Sequence, residues 1–229
     1  MNIKYAKIAN QAESFAAAIA QAADTLAISI SPEQIGQILR YLDGLLLWGK
    51  AYNLTAITDP NEALIKHIFD CMAIVPDLPF LDKSDIRLLD IGTGAGLPSV
   101  MIAILCPTWQ VDALDSNQKK IRFIRQIASE IGLKNIRPVA ARIEHHQVDE
   151  PHAYQVITSR AFAALLDFVN LAEPCLAADG VLYAMKGKLP TADEKQGLES
   201  WQIDTKVISV PKLHDDRCVV YLSKTSKSS

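Results

Sequence analysis

Three glycines spaced two apart, Gly92, Gly94 and Gly96, follow the apolar run Leu88-Leu89-Asp90-Ile91 and are closed by Leu97-Pro98. Glycine lacks a Cβ, so such a loop can take positive φ and bring its backbone close to a ligand. An apolar run broken by glycines reads as a buried strand, and proline suits the first turn of a helix. The stretch therefore predicts strand, tight loop and helix, with the helix's free N–H groups aimed at whatever binds. Two cofactor classes use such a loop. The dinucleotide fingerprint G-x-G-x-x-G is matched only in part, because Ser99 stands at its last position. The pattern Asp90-x-Gly92-x-Gly94-x-Gly96 fits throughout. A carboxylate beside the loop repels a pyrophosphate and suits a cationic sulfonium, which favours S-adenosylmethionine over NAD. A loop that merely turns the chain is the plainer alternative. Asp115, at the end of the next expected strand, can accept both hydroxyls of a ribose diol, which either cofactor presents. Its alternative role is to cap the helix from Asn117, which Ser116 could equally fill.

Phosphate binding needs cations, and with 23 basic against 26 acidic residues they must form a local patch. Lys119, Lys120, Arg122 and Arg125 crowd one expected helix, Lys186 and Lys188 follow the fifth strand, and Arg142 and Arg160 can join them. For Lys119 and Arg125 a solvated helix face is the competing reading. Trp48 and Tyr52, beside Asn53, are core or edge aromatics unless they stack on a base. His67 with Cys71, and Glu144-His145-His146, offer too few ligands for zinc, so no metal is expected. The four cysteines, Cys71, Cys106, Cys175 and Cys218, make no C-x-x-C pair, which points to a reducing compartment. The apolar run Phe15 to Ala20 behind Lys4 and Lys7 is flanked by Gln11, Glu13, Gln21 and Asp24 and reads as an amphipathic helix, not a signal peptide. No stretch approaches the roughly 18 apolar residues of a membrane span, so a cytoplasmic protein without membrane contact is expected.

The elements that must hold these residues follow from periodicity. Residues 8–28 are alanine-rich and helical; Ser31-Pro32-Glu33-Gln34 opens a second helix with a capping box, which should fray near Gly49. A third helix carries Ala63 to about Val75, and the prolines at 76 and 79 lead into the core domain. Beyond residue 86, strands at 87–91, 110–114, 136–140, 155–159 and 181–186 alternate with helices near 98–105, 117–131, 162–176 and 190–199. Two β-rich runs, 202–210 and 217–222, close the sheet as an antiparallel pair, and the tail from Ser223 frays. The expected fold is α/β: a seven-stranded, mostly parallel Rossmann-like sheet with an antiparallel C-terminal pair. A helical extension (1–80) precedes the cofactor domain (81–229).

Over roughly residues 35–222 the chain resembles the class I S-adenosylmethionine-dependent methyltransferases and, among them, the 16S ribosomal RNA guanine-N7 methyltransferases of the RsmG/GidB family. The specific pieces are Tyr52-Asn53-Leu54-Thr55-Ala56-Ile57, His67-Ile68-Phe69-Asp70, the glycine loop, and Leu114-Asp115-Ser116 running into Lys119-Lys120-Ile121-Arg122-Phe123. Ala141-Arg142-Ile143-Glu144, Ser159-Arg160-Ala161-Phe162 and Met185-Lys186-Gly187 follow. Ser99 departs from the family's usual glycine. The resemblance implies that Gly92, Leu97, Ile143, Glu144 and Arg160 hold the cofactor, joined by Asp90, Gly94, Gly96 and Asp115 from the reading above. The substrate it implies is 16S rRNA in the small ribosomal subunit, guanine 527 of the 530 loop, with Asn53, His67, Lys119, Arg122, Arg142, Lys186 and Lys188 as candidate RNA contacts. Guanine N7 carries an exposed lone pair, so no general base is expected. Asp70 and Glu144 are the candidates for a carboxylate that steadies the charged product. Two rivals remain, an NAD-dependent oxidoreductase and a noncatalytic ribosome-associated RNA-binding protein.

Overall fold

The structure, a computed structural model, describes residues 5–225 except 161 and 163. Seven strands form one sheet: β1 (Arg87–Ile91), β2 (Gln110–Asp115), β3 (Ile136–Ala140), β4 (Tyr154–Ser159), β5 (Leu176–Lys186), β6 (Trp201–Val207) and β7 (Cys218–Lys224). Their spatial order is β3-β2-β1-β4-β5-β7-β6; the first five run parallel and β7 is antiparallel to both β5 and β6, as expected. Alternate residues supply the two faces: Leu88 joins one hydrophobic cluster, Leu89 and Ile91 the other. The order reverses direction between β1 and β4, and a crevice opens at such a switch point outside the carboxyl ends of the strands.

One face is covered by α1 (Ala12–Thr25), α2 (Pro32–Tyr52), α5 (Ser99–Leu105) and α6 (Gln118–Glu130), together with a helical segment made of α3 (Pro60–Ala63), a widened π turn (Leu64–Phe69) and α4 (Asp70–Met72). The other carries α7 (Ile143–Asp149) and α8 (Leu165–Ala172). Ser31 caps α2 as the sequence predicts: its Oγ accepts from Gln34 N at 3.2 Å while Gln34 Oε1 accepts from Ser31 N at 2.9 Å. The helix does not fray at Gly49. It runs to Tyr52 and ends at Asn53 in the left-handed region, φ 52°, and Leu54 N then donates to the Gly49 carbonyl. Gly44 lets α2 and α6 meet closely, since a Cβ there would lie 2.9 Å from Ile127 Cδ1.

Several element boundaries differ from the sequence expectation. Residues 190–199 hold only a 3₁₀ turn, Asp193–Lys195, between Pro190 and Gly197, whose φ of +80° is incompatible with a continuing helix. The helix expected over 162–176 stops at Ala172 and gives way to a 3₁₀ turn, Glu173–Cys175, because Pro174 interrupts it. Helix α7 was not foreseen. β7 extends through Lys224, so Ser223 pairs with Val181 and Gln202 where fraying was expected, and residues 226–229 lie outside the described ones. At the far end of the sheet Asp112 is buried between Arg137, whose Nε lies 2.8 Å from Oδ1, and the Tyr154 hydroxyl, binding β2, β3 and β4 together.

The N-terminal segment is secured by one carboxylate. Asp43, buried in α2, accepts from the backbone N–H groups of Ala6, Lys7 and Ile8 at 2.9, 2.6 and 3.0 Å. Asp43→Ala strands these donors, and buried unsatisfied groups are costly. Urea unfolding should show a loss of about 2–4 kcal/mol for Asp43→Ala, with Asp43→Asn retaining part of it. A variant within 0.5 kcal/mol of the parent, roughly the noise of a surface change, would contradict the clamp.

Candidate functional site

The turn after β1 is built as the glycines demanded. Gly92, Gly94 and Gly96 take φ of 72°, 61° and 93°, and Gly92 N and Thr93 N both donate to the Leu114 carbonyl of β2, at 2.9 and 3.0 Å. A Cβ on Gly96 would approach Val100 Cγ2 to 2.5 Å, so only glycine lets α5 sit this close. Pro98 takes the N-cap position of α5. Tyr41, fully buried on α2, donates its hydroxyl to the Ala95 carbonyl at 2.9 Å, which braces the loop from the helical layer.

Asp90 is placed differently from the expectation. Its carboxylate does not face the open crevice; it is fully buried behind the loop, and Oδ2 accepts from Ser99 N at 3.1 Å at the start of α5. The position at a helix N-terminus where a bound pyrophosphate would rest is filled by the protein's own anion. Helix N–H groups were expected to be free for ligand, yet Ser99 N is used by Asp90 and Val100 N by the Gly96 carbonyl. Ser99, the departure from glycine, is fully buried and pairs its hydroxyl with that of Thr93 at 2.6 Å, so it stitches the loop together. Burial pushes the Asp90 pKa up to about 6, against the hydrogen bond from the Ser99 backbone.

Two crevices flank the switch point. The first, about 370 Å³, lies over the ends of β1, β2 and β3 and is lined by Gly92, Asp115, Lys120, Arg142, Ile143 and Glu144 among others. Asp115 is not the cap of α6; Asn117 is, its Oδ1 accepting from Lys119 N at 3.0 Å. The Asp115 oxygens accept instead from Gly94 N at 3.0 Å and Asn117 N at 2.8 Å, which aims the carboxylate and leaves further lone pairs. Ile143 and Glu144 arrive on the first turn of α7, the helix the sequence reading missed. Leu97 is buried beneath the loop.

The second crevice, about 390 Å³, opens beyond β4 and β5 and is lined by Lys66, His67, Asp70, Arg160, Lys186 and Arg217, with Met185 and Gly187. Arg160, grouped with the cofactor residues by resemblance, lines this crevice and not the first. Asp70 is buried between two guanidiniums: Arg217 Nε lies 2.7 Å from Oδ1 and Arg160 Nη1 3.7 Å from Oδ2. Asp70, a candidate for the carboxylate that steadies a charged base, thus lines this crevice while ion-paired to both guanidiniums. Glu144, the other carboxylate candidate, lines the first crevice and does not line this one. Burial opposes the charge on Arg160, but Cys71, Asp70, Tyr41 and Asp90 around it raise its pKa on balance. Burial, and then the Arg160 charge, lower His67 to about 4, so its ring is neutral near pH 7. His67 Nε2 shares a 2.7 Å hydrogen bond with Thr55 Oγ1, which explains why the N-L-T turn and the histidine belong together. Lys186 is engaged by Glu194.

Arg217 and Lys66 were missed in the sequence. Arg217 precedes the last strand, far along the chain from Asp70, and only the antiparallel return of β7 beside β5 brings it in. Of the other RNA candidates, Arg142 lines the first crevice and Lys188 a neighbouring groove, while Asn53, Lys119 and Arg122 are exposed and line neither crevice. Trp48 and Tyr52 stack on each other, 5.5 Å between centroids and 10° between planes. Among the described residues no group of three or more His, Cys, Asp or Glu could hold a metal, and no helix is long and apolar enough to cross a membrane. The four cysteines are all buried and free.

The donor set suits an adenosyl sulfonium ligand. Asp115 offers a carboxylate to a diol, Ile143 an apolar wall and Gly92 an approach without side chain.

Comparison with known proteins agrees. Residues 34–220 match the family described as rRNA small subunit methyltransferase G. The chain is similar to a ribosomal RNA small subunit methyltransferase G of Psychrobacter arcticus, 55% identical over 220 residues that span 96% of this chain and 89% of that one. It is also similar to one from Acinetobacter baylyi, 42% identical over 89% of this chain and 94% of the relative. A SAM dependent methyltransferase from Aquifex aeolicus shares the fold, with a TM-score of 0.51 at 17% identity over 72% of this chain and 93% of that one. With the family matched across most of its length, from the second helix to the last strand, the chain belongs to the rRNA small subunit methyltransferase G family.

Proposed function

We propose that the protein transfers the methyl group of S-adenosylmethionine to N7 of a guanine in 16S rRNA, guanine 527 of the 530 loop as the family implies. Family membership makes the chain an S-adenosylmethionine-dependent rRNA methyltransferase and sets aside the oxidoreductase alternative. The observation that carries the finer reading is the pair of crevices on either side of the β1/β4 switch point: one fitted for a nucleoside, the other lined by Lys66, Arg160, Lys186 and Arg217. A substrate of this kind also accords with a cytoplasmic location.

The cofactor supplies an electrophilic methyl on a positively charged sulfur. Asp115, Gly92, Ile143 and Glu144 would hold it. The chain's remaining task is to place N7 in line with that methyl and keep water out, since positioning alone can supply a large part of a barrier reduction. Guanine N7 would react through its own exposed lone pair, so the chain need supply no group to take a proton. His67, whose pKa near 4 makes it a weak base, and an Asp70 paired with two arginines fit a reaction with no proton to remove. Lys66, Arg160 and Arg217 supply charge for the RNA phosphates that flank the base.

Incubating the protein with tritiated cofactor and small ribosomal subunits, followed by mapping of the label, should place it on one guanine. Unlabelled RNA with intact cofactor binding would overturn the reading in favour of a noncatalytic binder.

Asp115→Ala should weaken S-adenosylmethionine binding by about 10- to 100-fold in titration calorimetry, the scale of a lost hydrogen bond to a charged group. Equal affinity would remove Asp115 from the site.

Because His67 titrates near 4 and Asp90 near 6, both groups hold one protonation state above about pH 7. The single-turnover rate should be level from about pH 7 to pH 9. An inflection in that window lost in His67→Gln would show a general base and contradict the mechanism.

A further inference from the structure

Beside the cationic crevice lies a second, smaller cavity of about 330 Å³, lined by Gly187, Lys188, Leu189, Val207, Asp216 and Arg217, with Cys218. We propose that this groove seats the nucleobase next to the target guanine in the same RNA strand; the proposal rests on the rRNA methylation reading of the crevice.

Gly187 and Arg217 line both cavities, so the groove continues the crevice. Its walls are apolar and open. Leu189 is 51% and Val207 65% exposed, and no described part of the chain covers them. Val207 is pinned by the ladder, paired with Cys218 at the last rung between β6 and β7, so its side chain is presented from rigid backbone. Leu189 follows Gly187 and Lys188 out of β5 and lines the same groove. Lys188 and Arg217 edge the groove, with Asp216 as the acidic group between them in chain order. Apolar surface for a base face, edged by cations for the backbone, is how proteins take up a single strand. A lone guanine offers few features that tell it from every other guanine. A subsite that requires an unstacked neighbour restricts reaction to a guanine in an opened loop, where bases can be splayed apart. RNA is favoured over a protein segment because the groove is continuous with the crevice proposed to take the base, and Lys188 and the ion-paired Arg217 both lie along it.

The test uses the full chain with S-adenosylmethionine and small ribosomal subunits. Leu189→Ser with Val207→Ser should raise KM for the subunit by about fivefold or more, the lower end of what a lost stacking contact does. The rate at saturation and the affinity for S-adenosylmethionine should be unchanged. Val207→Tyr, which adds a stacking plane at an exposed strand end, should lower KM. The buried native cysteines permit selective labelling of Val207→Cys with a thiol-directed photocrosslinker. The crosslink should map to the nucleotide adjoining the methylated guanine. An unchanged KM in the double serine variant, or a crosslink to a ribosomal protein or a distant nucleotide, overturns the subsite while leaving the methyl transfer reading intact. A wild-type protein that labels no guanine overturns that reading and the subsite with it.

Discussion

The contact on which the site depends is between the Asp90 carboxylate and the backbone N–H of Ser99 at the start of α5. A helix N-terminus attracts negative charge, and in many nucleotide-binding folds the ligand's phosphate supplies it. Here the chain supplies it from the last turn of β1. That choice shapes the rest: the loop closes over a buried anion, the remaining loop donors turn inward, and the open ground moves toward the ends of β2 and β3. There Asp115, itself aimed by Gly94 and Asn117, is a carboxylate that lines the first crevice. The arrangement disfavours a dinucleotide by occupation as much as by repulsion, and it leaves Asp90 Oδ1 unpaired beneath the loop.

The second crevice gathers positive charge locally in a chain of net charge -3, as the proposed RNA contact requires. Asp70 does not reduce the local cationic field to nothing; it sits between two arginines and leaves one positive charge in excess from that trio alone. Its physical service is geometric. Two long guanidinium side chains held by one buried carboxylate lose less freedom on gripping a phosphate than two unrestrained ones would, because their ordering is already complete in the folded protein. The long reach of the chain is what assembles them: Asp70 from the helical layer, Arg160 after β4 and Arg217 before β7.

Most of the sheet was legible because its signals are short and periodic. The run at 87–91 is bounded by glycine on one side and polar residues on the other, and the structure gives the same strand. The capping box at Ser31 likewise needs only four adjacent residues to be read. What escaped notice depended on distance or on weak local preference. α7 begins with no side-chain cap and is seven residues long, so nothing in its composition sets it apart from a loop. The helix expected over 190–199 looked helical by composition, yet Pro190 and Gly197 outweigh composition at both ends. Arg217 was invisible as a site residue because its partner is fixed by the pairing of β7 with β5, a fact of topology. The inward turn of Asp90 could not be read either, since a carboxylate two residues before a glycine is compatible with either orientation.

The helical layer is therefore more than a cover. Tyr41 reaches from α2 to the Ala95 carbonyl, and Tyr183 on β5 donates to the Ile74 carbonyl just beyond α4, at 2.9 Å each. The π turn between α3 and α4 carries His67 inward to Thr55, beyond the end of α2, and passes directly into Asp70. A widened turn of this kind shifts the following residues around the helix axis relative to a regular helix. His67 and Asp70 stand three residues apart along this segment, and both line the same crevice. The irregularity persists because its apolar residues, Leu64, Ile68 and Phe69, are buried in the cluster shared with α2 and α5. The same packing that secures the helical layer thus fixes the spacing of His67 and Asp70, the groups this segment sends into the second crevice.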